Sequence, residues 1–479
     1  MTHDAVTHEP VRQHYNVTFA LLAVAAVAFA LLQSLVAPAL LTIQHDLHTS
    51  TEGAAWILTA YLLSASVFTP IAGRLGDMFG KKRTLVVVLV ALAIGTIVAG
   101  LATSIGPMLV ARVIQGAAGA IFPLSYAIIR DEFPAERVPH GIALISSILA
   151  IGGGLGIVLA GPITAHLSYH WLFWFPLIGV LVALAGIVLY VPESPVRSPG
   201  RVDWLGAVLL SAWLVALLVG VSEGPSWGWM SARVLGLIVA SVVLLAVWVL
   251  VEARMTDPLV DMTMMRLRPV WTTNLTAFVF GFGMYSSFFL IPQFVEMPTS
   301  TGFGFGASVT QAGLYMVPST IAMLLAGPVS GRLSSTVGSR VPLILGSLIS
   351  AVAFGFLALA HTAGWEIYLA MFVFGLGIGL AFSSMANLIV ESVGPEQTGV
   401  ATGMNTIVRT IGGGVGSQVS AGIVAAALVG GLPTEHGFTL AFAVSAGALA
   451  LGFFTALAVP RPARARALSS EAAVERSAA

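Results

Sequence analysis

The sequence predicts an all-α polytopic membrane protein: fourteen transmembrane helices, arranged as two six-helix bundles with a parallel pseudo-two-fold repeat and two inserted helices. Three observations predict it. The composition is too apolar for a soluble surface, fourteen stretches have bilayer-spanning length, and the basic residues fall on one side. Of 479 residues, 57% are hydrophobic and 9% charged, and mean hydropathy is +0.95. A soluble domain carries about 25% charged residues, so most of this surface must face lipid. Lys plus Arg and Asp plus Glu balance at 21 each, which leaves no basic footprint for nucleic acid. Cysteine is absent, which excludes disulfides, thiol catalysis and Cys-based metal sites. No cofactor or metal site is expected.

A helix needs about 20 mostly apolar residues to cross a bilayer. Residues 1–16 form a polar N-terminal tail, and the apolar run after it has no small-residue cleavage site, so it predicts a retained first helix. The N-terminal bundle, 17–192, holds spans at 17–43, 54–73, 84–103, 107–129, 140–164 and 170–191. An inserted two-helix linker, 193–269, holds spans at 204–221 and 232–252. The C-terminal bundle, 270–460, holds spans at 270–291, 308–331, 341–361, 365–390, 398–428 and 437–459. The Ala-, Arg- and Ser-rich tail, 461–479, is expected to be disordered.

With an even number of spans, both termini share a side. Placing the N-terminus in the cytoplasm puts every Lys and Arg except Arg112, Arg233 and Arg409 in cytoplasmic segments. That bias orients a cell-membrane protein with both termini cytoplasmic. Trp56, Trp171, Trp174, Trp227, Trp229 and Trp365 then fall at outer helix ends, and Trp204, Trp248 and Trp271 at inner ones. Indole rings prefer these interfacial depths.

A weak internal repeat divides the chain. Gly73-Arg74-Leu75 returns as Gly331-Arg332-Leu333 at an offset of 258, and Ile151 to Gly156 returns as Ile411 to Gly416 at an offset of 260. The offset passes an even number of spans, so the repeat is parallel and its axis runs along the membrane normal. Two similar bundles can rock about a central site, and glycine faces let their helices approach closely. Ordinary close packing would use the same glycines.

Gly73-Arg74-Leu75-Gly76-Asp77-Met78-Phe79-Gly80-Lys81-Lys82-Arg83, placed in the loop between spans two and three, resembles the signature loop of the major facilitator superfamily. Leu109 to Arg112 with Gln115, Gly116 and Gly119 is similar to that superfamily's fourth-helix motif, and Gly161-Pro162 to part of its exporter motif. Fourteen spans, together with Asp257-Pro258-Leu259-Val260-Asp261, resemble the drug:proton antiporter branch. Three positions depart from the pattern. Met78 stands where a basic residue is usual, Ala165 and His166 replace exporter-motif glycines, and Leu31-Leu32-Gln33-Ser34 lacks the acid often found in the first helix.

The resemblance implies a conformational switch at Gly73, Asp77, Gly80, Lys81, Lys82, Arg83 and Arg130. Asp77 would bind the start of span thirteen near Thr398 and an Arg such as Arg130 when the cytoplasmic side is closed. It also implies that Arg112, with Gln115, handles proton or substrate. Buried charge in a bilayer costs about 2.5–3.5 kcal/mol on insertion scales, so Arg112 should face a polar interior, where Gln33, Gln115 or backbone carbonyls could satisfy it. Arg409 is a second buried charge, or it snorkels to the interface. Gln33, Tyr61, Tyr126, Asn274, Tyr285, Gln311, Asn387, Asn405 and Gln418 are polar residues within spans, able either to line a cavity or to bond a neighbouring helix. The loop from Met297 to Ala307 could gate an outer vestibule or simply connect spans.

These features imply a secondary transporter with a small-molecule substrate, protons as coupling ion, the bilayer as its setting and a monomeric state. Proton-coupled export of amphipathic or apolar compounds leads; a uniporter or importer of a neutral metabolite is the alternative. An enzyme is not expected, because His-Glu-x-x-His, a nucleophile elbow and a P-loop are all missing. A receptor would carry a soluble signalling domain.

Overall fold

The computed structural model describes residues 15–198, 202–429 and 432–460. Both tails, Arg12, Arg201 and the four C-terminal arginines lie outside the described residues. Fourteen long helices run in chain order: α1 (Tyr15–Ser34), α2 (Thr51–Phe79), α3 (Lys81–Leu101), α4 (Ile105–Glu132), α5 (Val138–His166), α6 (Trp171–Tyr190), α7 (Trp204–Ser222), α8 (Ala232–Glu252), α9 (Arg268–Glu296), α10 (Val309–Val337), α11 (Arg340–Leu359), α12 (Gly364–Ser392), α13 (Thr398–Ala426) and α14 (Glu435–Ala458). Twelve of these are long and apolar enough to cross a membrane. The two outside that set are α5 and α13. Within α5, Val138–Ile148 and Gly154–His166 are shorter apolar stretches, and α13 is diluted by glycine, threonine and Arg409.

Three boundaries correct the expectations. The first span is not one helix: α1 stops at Ser34, turns follow, and a short helix resumes at Leu40–Asp46. Pro38 accounts for this, since it lacks an N–H and disfavours helix in the residue before it. The signature segment is not a loop. Gly73 to Phe79 form the last turns of α2, and Gly80 alone, at φ 116°, separates α2 from α3. Only glycine adopts that backbone readily. Span thirteen ends at Ala426, and a two-residue antiparallel ladder pairs Leu428 with Pro433 and Val429 with Leu432.

The buried apolar side chains form three clusters. One fills α1 to α6, around Leu85, Phe173 and Leu172, and takes in Ala386 and Val390 of α12. A second lies within α9 to α14, around Phe294, Phe354 and Phe442. The third joins the feet of α7 and α8, through Trp213 and Trp248, to Val400 and Met404 of α13. The inserted pair therefore leans on α13, and α7 also touches α2, where Thr59 and Ser222 hydroxyls meet at 3.3 Å.

The repeated glycines do the same work in each half. Gly152 leaves no room for a side chain against Ala30 of α1, and Gly156 none against Ser34. In the other half Gly412 lies on the Phe278 carbonyl of α9, and Gly416 on that of Phe282. Between halves two seams form. Along α5 and α10, Gly331 meets His140, Gly327 meets Ser147, Gly154 meets Thr320 and Gly161 lies near Thr310, so this seam is closed from end to end. Along α2 and α13, Gly73 and Gly399 pack backbone to backbone and Gly403 lies on Pro70, all at the Asp77 end.

Candidate functional site

At that end Asp77 is fully buried. A buried carboxylate must have its charge met by donors. Gly399 N donates to one oxygen at 3.1 Å and Val400 N to the other at 3.0 Å. Both belong to the first turn of α13, where unpaired N–H groups and the helix dipole favour an anion. Arg130 does not reach Asp77. It donates instead to two carbonyls just past the end of α12, Val393 O at 2.8 Å and Gly394 O at 3.2 Å, and to Thr398 Oγ1 at 2.7 Å. A cation at a helix C-terminus and an anion at a helix N-terminus thus clamp the α12–α13 turn from the other half.

The basic run after Gly80 divides. Lys81 is fully buried, ion-paired with Asp131, and donates to Pro395 O across the halves at 3.2 Å. Lys82 N and Arg83 N donate to the Glu193 carboxylate, which sits at the start of α3. The Arg83 side chain is mostly exposed, 3.7 Å from Glu193.

Between the halves lies a mostly apolar cavity of about 640 Å³. Its walls come from both: Phe29 and Gln33 of α1, Tyr61 of α2 and Phe122 of α4 face Tyr285 and Phe288 of α9. Pro38 and Glu296 mark its extent toward the end opposite Asp77. Arg112 and Arg409 both line it. Arg112 is 1% exposed, its Nε donates to Ile57 O at 3.0 Å and its Nη1 to Gln115 Oε1 at 2.9 Å. Gln115 passes the chain on to Thr96 Oγ1 at 3.1 Å. The Arg112 guanidinium lies over the Tyr61 ring at 4.4 Å, and its Nη2 has no partner among the described residues. Arg409 lies over the Phe382 ring at 4.1 Å and does not snorkel away.

Of the other polar residues singled out, Gln33, Tyr61 and Tyr285 lie on the cavity wall, and Tyr126, Asn274, Gln311, Asn387, Asn405 and Gln418 do not. Tyr126 hydrogen-bonds Ser146 at 3.0 Å. Asn405 Nδ2 donates to Asn274 Oδ1 at 2.9 Å, tying α13 to α9. Asn387 Nδ2 donates to Pro139 O across the halves at 3.3 Å. Gln311 closes a capping box with Ser308 at the start of α10. Gly161 and Pro162 sit within α5; Gly161 lies near Thr310 on the α5–α10 seam, and Pro162 is exposed. Phe382, the ring beneath Arg409, carried no signal in the sequence, since nothing local distinguishes it from other apolar residues of α12.

The family model described as Major Facilitator Superfamily matches residues 22–417. The chain belongs to the Major Facilitator Superfamily. This superfamily protein is a multi-pass secondary transporter and not an enzyme. It is 30% identical over 439 residues to the tetracenomycin C resistance and export protein of Streptomyces glaucescens, covering 90% of this chain and 80% of that one. It is 29% identical over 388 residues to multidrug resistance protein 3 of Bacillus subtilis, covering 79% and 73%. The crystal structure of the human organic anion transporter MFSD10 shares the fold alone: TM-score 0.68, 19% identity, 92% of this chain and 98% of that one.

In this transporter the segments flanking the inserted pair brace the Asp77 end. Ser198 N donates to Asp77 O at 2.7 Å, and Arg74 Nη1 to Ser198 Oγ at 3.1 Å. Asp261 caps the short helix Met262–Met265 and accepts from Gln397 Nε2 at 3.0 Å, just before α13. Burial works against the Asp261 carboxylate, but hydrogen bonds from Thr263, Gln397 and Met264 prevail and hold it below its ordinary value. Its stabilising contribution is therefore complete above the ordinary carboxylate range and is lost as pH falls through the lowered value. Asp261→Ala should cost about 1 kcal/mol, the usual worth of an N-cap. Thermal unfolding in detergent at neutral pH checks this, and the deficit should shrink in acid.

Proposed function

We propose that this transporter exports small amphipathic or apolar compounds in exchange for protons by alternating access, within the fourteen-helix drug:proton antiporter branch. In this reading α5 and α13 also span the bilayer, the halves are residues 17–192 and 270–460 with 193–269 inserted, and both termini are cytoplasmic. The observation that carries it is the cavity: walled by both halves, mostly apolar, and sealed from the Asp77 end by hydrogen bonds between halves. Such contacts hold only while that end is shut, so they favour the conformation open opposite. The export and multidrug-resistance names of the two bacterial relatives support the direction. One copy contains the whole cavity, so a monomer suffices.

Purified protein in liposomes under an imposed pH gradient tests this with a panel of lipophilic drugs and dyes. Gradient-dependent flux accompanied by proton movement is expected. A second reading, a uniporter, is favoured by one feature: among the described lining residues Glu296 is the single carboxylate, and it lies far from the Asp77 end. Flux indifferent to the gradient would establish that reading in place of antiport.

A further inference from the structure

We propose that the preferred substrate is an amphipathic aromatic anion, whose carboxylate or phenolate is received by Arg112 and Arg409; this rests on the transporter reading and names its substrate class. The argument starts from charge. Two guanidinium groups line one cavity, while the single carboxylate on its described wall, Glu296, ends α9 on the side away from Asp77 and is largely exposed. A guanidinium stays protonated in proteins, and charge taken from water without a partner is costly. Arg112 has found backbone, amide and ring partners but no acid, and its Nη2 is buried without an acceptor. Arg409 has neither an ion pair nor a side-chain hydrogen bond among the described residues; it lies over the Phe382 ring, within electrostatic reach of Tyr126 and Tyr285.

The geometry of those contacts leaves a specific opening. In both cases the guanidinium carbon lies over an aromatic ring, Tyr61 for Arg112 and Phe382 for Arg409. The ring contact leaves donors for a ligand: Nη2 of Arg112, whose Nε and Nη1 are already engaged, and the guanidinium N–H groups of Arg409. Edge donors of a fixed guanidinium plane match the oxygens of a carboxylate. The rest of the cavity is suited to the body of such a molecule. Phe29, Phe122, Phe288 and Phe374 offer ring faces and edges, and Met284 and Met316 adapt to irregular outlines. The volume of about 640 Å³ accommodates a drug-sized polycyclic compound. A cationic drug would be held off by the same two arginines.

The test uses three probes on one fluorescent skeleton: pyrenebutyrate, its neutral amide, and the trimethylammonium homologue. With the full chain in detergent, pyrenebutyrate should bind at least about tenfold more tightly than the amide, and the ammonium compound most weakly. Arg409→Gln and Arg112→Gln should each reduce the preference for the carboxylate over the amide several-fold, while Arg112→Lys, keeping the charge, should restore part of it. Equal affinity for acid and amide, preference for the ammonium compound, or a preference that survives both glutamine variants would overturn the proposal. Liposome flux separates it from the exporter reading. If the amide and the ammonium compound move with the pH gradient and the carboxylate does not, the export reading stands and the anion site falls. If the carboxylate binds with the stated preference but no compound moves, the site stands and the export reading falls.

Discussion

Asp77→Asn should lower transport at least tenfold with expression unchanged. The native carboxylate accepts from Gly399 N and Val400 N on the other half, with no exposure to water. Hydrogen bonds to a charged group contribute about 1.5–3 kcal/mol each. Asparagine keeps one acceptor oxygen and turns a donor toward the second N–H, so about 2 kcal/mol of closure is lost. That shifts the conformational equilibrium roughly thirtyfold. The absence of cysteine from the chain gives a direct readout. A Thr402→Cys reporter is buried near this end of α13, 2% exposed at the native threonine. In the Asp77→Asn background it should react faster with an impermeant maleimide applied from the Asp77 side. Unchanged flux and unchanged labelling would show that the clamp does not govern the equilibrium.

Gly412→Val should abolish correctly folded protein. A Cβ at Gly412 would stand 1.9 Å from the Phe278 carbonyl oxygen, and the same seam has Gly281 at 1.9 Å from Arg409 O and Gly416 at 2.3 Å from Phe282 O. These are backbone atoms and cannot rotate aside. The helices must part along their length and forfeit close contact over the whole seam. Overpacking a core costs typically 1–3 kcal/mol when side chains can adjust; here the cost should exceed that range. The control is Gly422→Ala on the same helix, where an added Cβ meets nothing within 4 Å. Alanine there should be neutral or stabilising by up to about 1 kcal/mol. Heating followed by size-exclusion chromatography compares them, and a Gly412→Val protein as stable as the control would refute the account.

Much of the architecture was readable because lipid imposes a length on apolar runs, and because the glycine repeats mark helix contacts in both halves. Asp77 and its neighbours were recognisable as a motif, and the start of α13 as its receptor. What stayed hidden depended on partners far along the chain. Gly399 lies 322 residues from Asp77, and no local pattern shows that Arg130 goes to the carbonyls of the α12–α13 turn rather than to the acid. Polar residues in spans were ambiguous for a physical reason: an amide such as Asn405 is as well satisfied by Asn274 on a neighbouring helix as by water in a cavity. Helix ends misled where a single residue decides. Gly80 lets α2 continue two turns past Gly73, and Pro38 cuts α1 short.

The two seams between halves are unlike. Ser335 occupies the place in α10 that corresponds to Asp77, and its hydroxyl turns back to Arg332 O of its own helix. Among the described residues the α5–α10 line is packed by glycines against His140, Ser147, Thr320 and Thr310 and has no ion pair, whereas α2 and α13 are pinned by glycine contact and carboxylate at one extremity. An assembly joined in this way swings like a door. In the proposed cycle the smooth edge is the hinge post and the pinned edge the latch, and Asp77, Arg130 and Lys81 must all let go before the leaf can open.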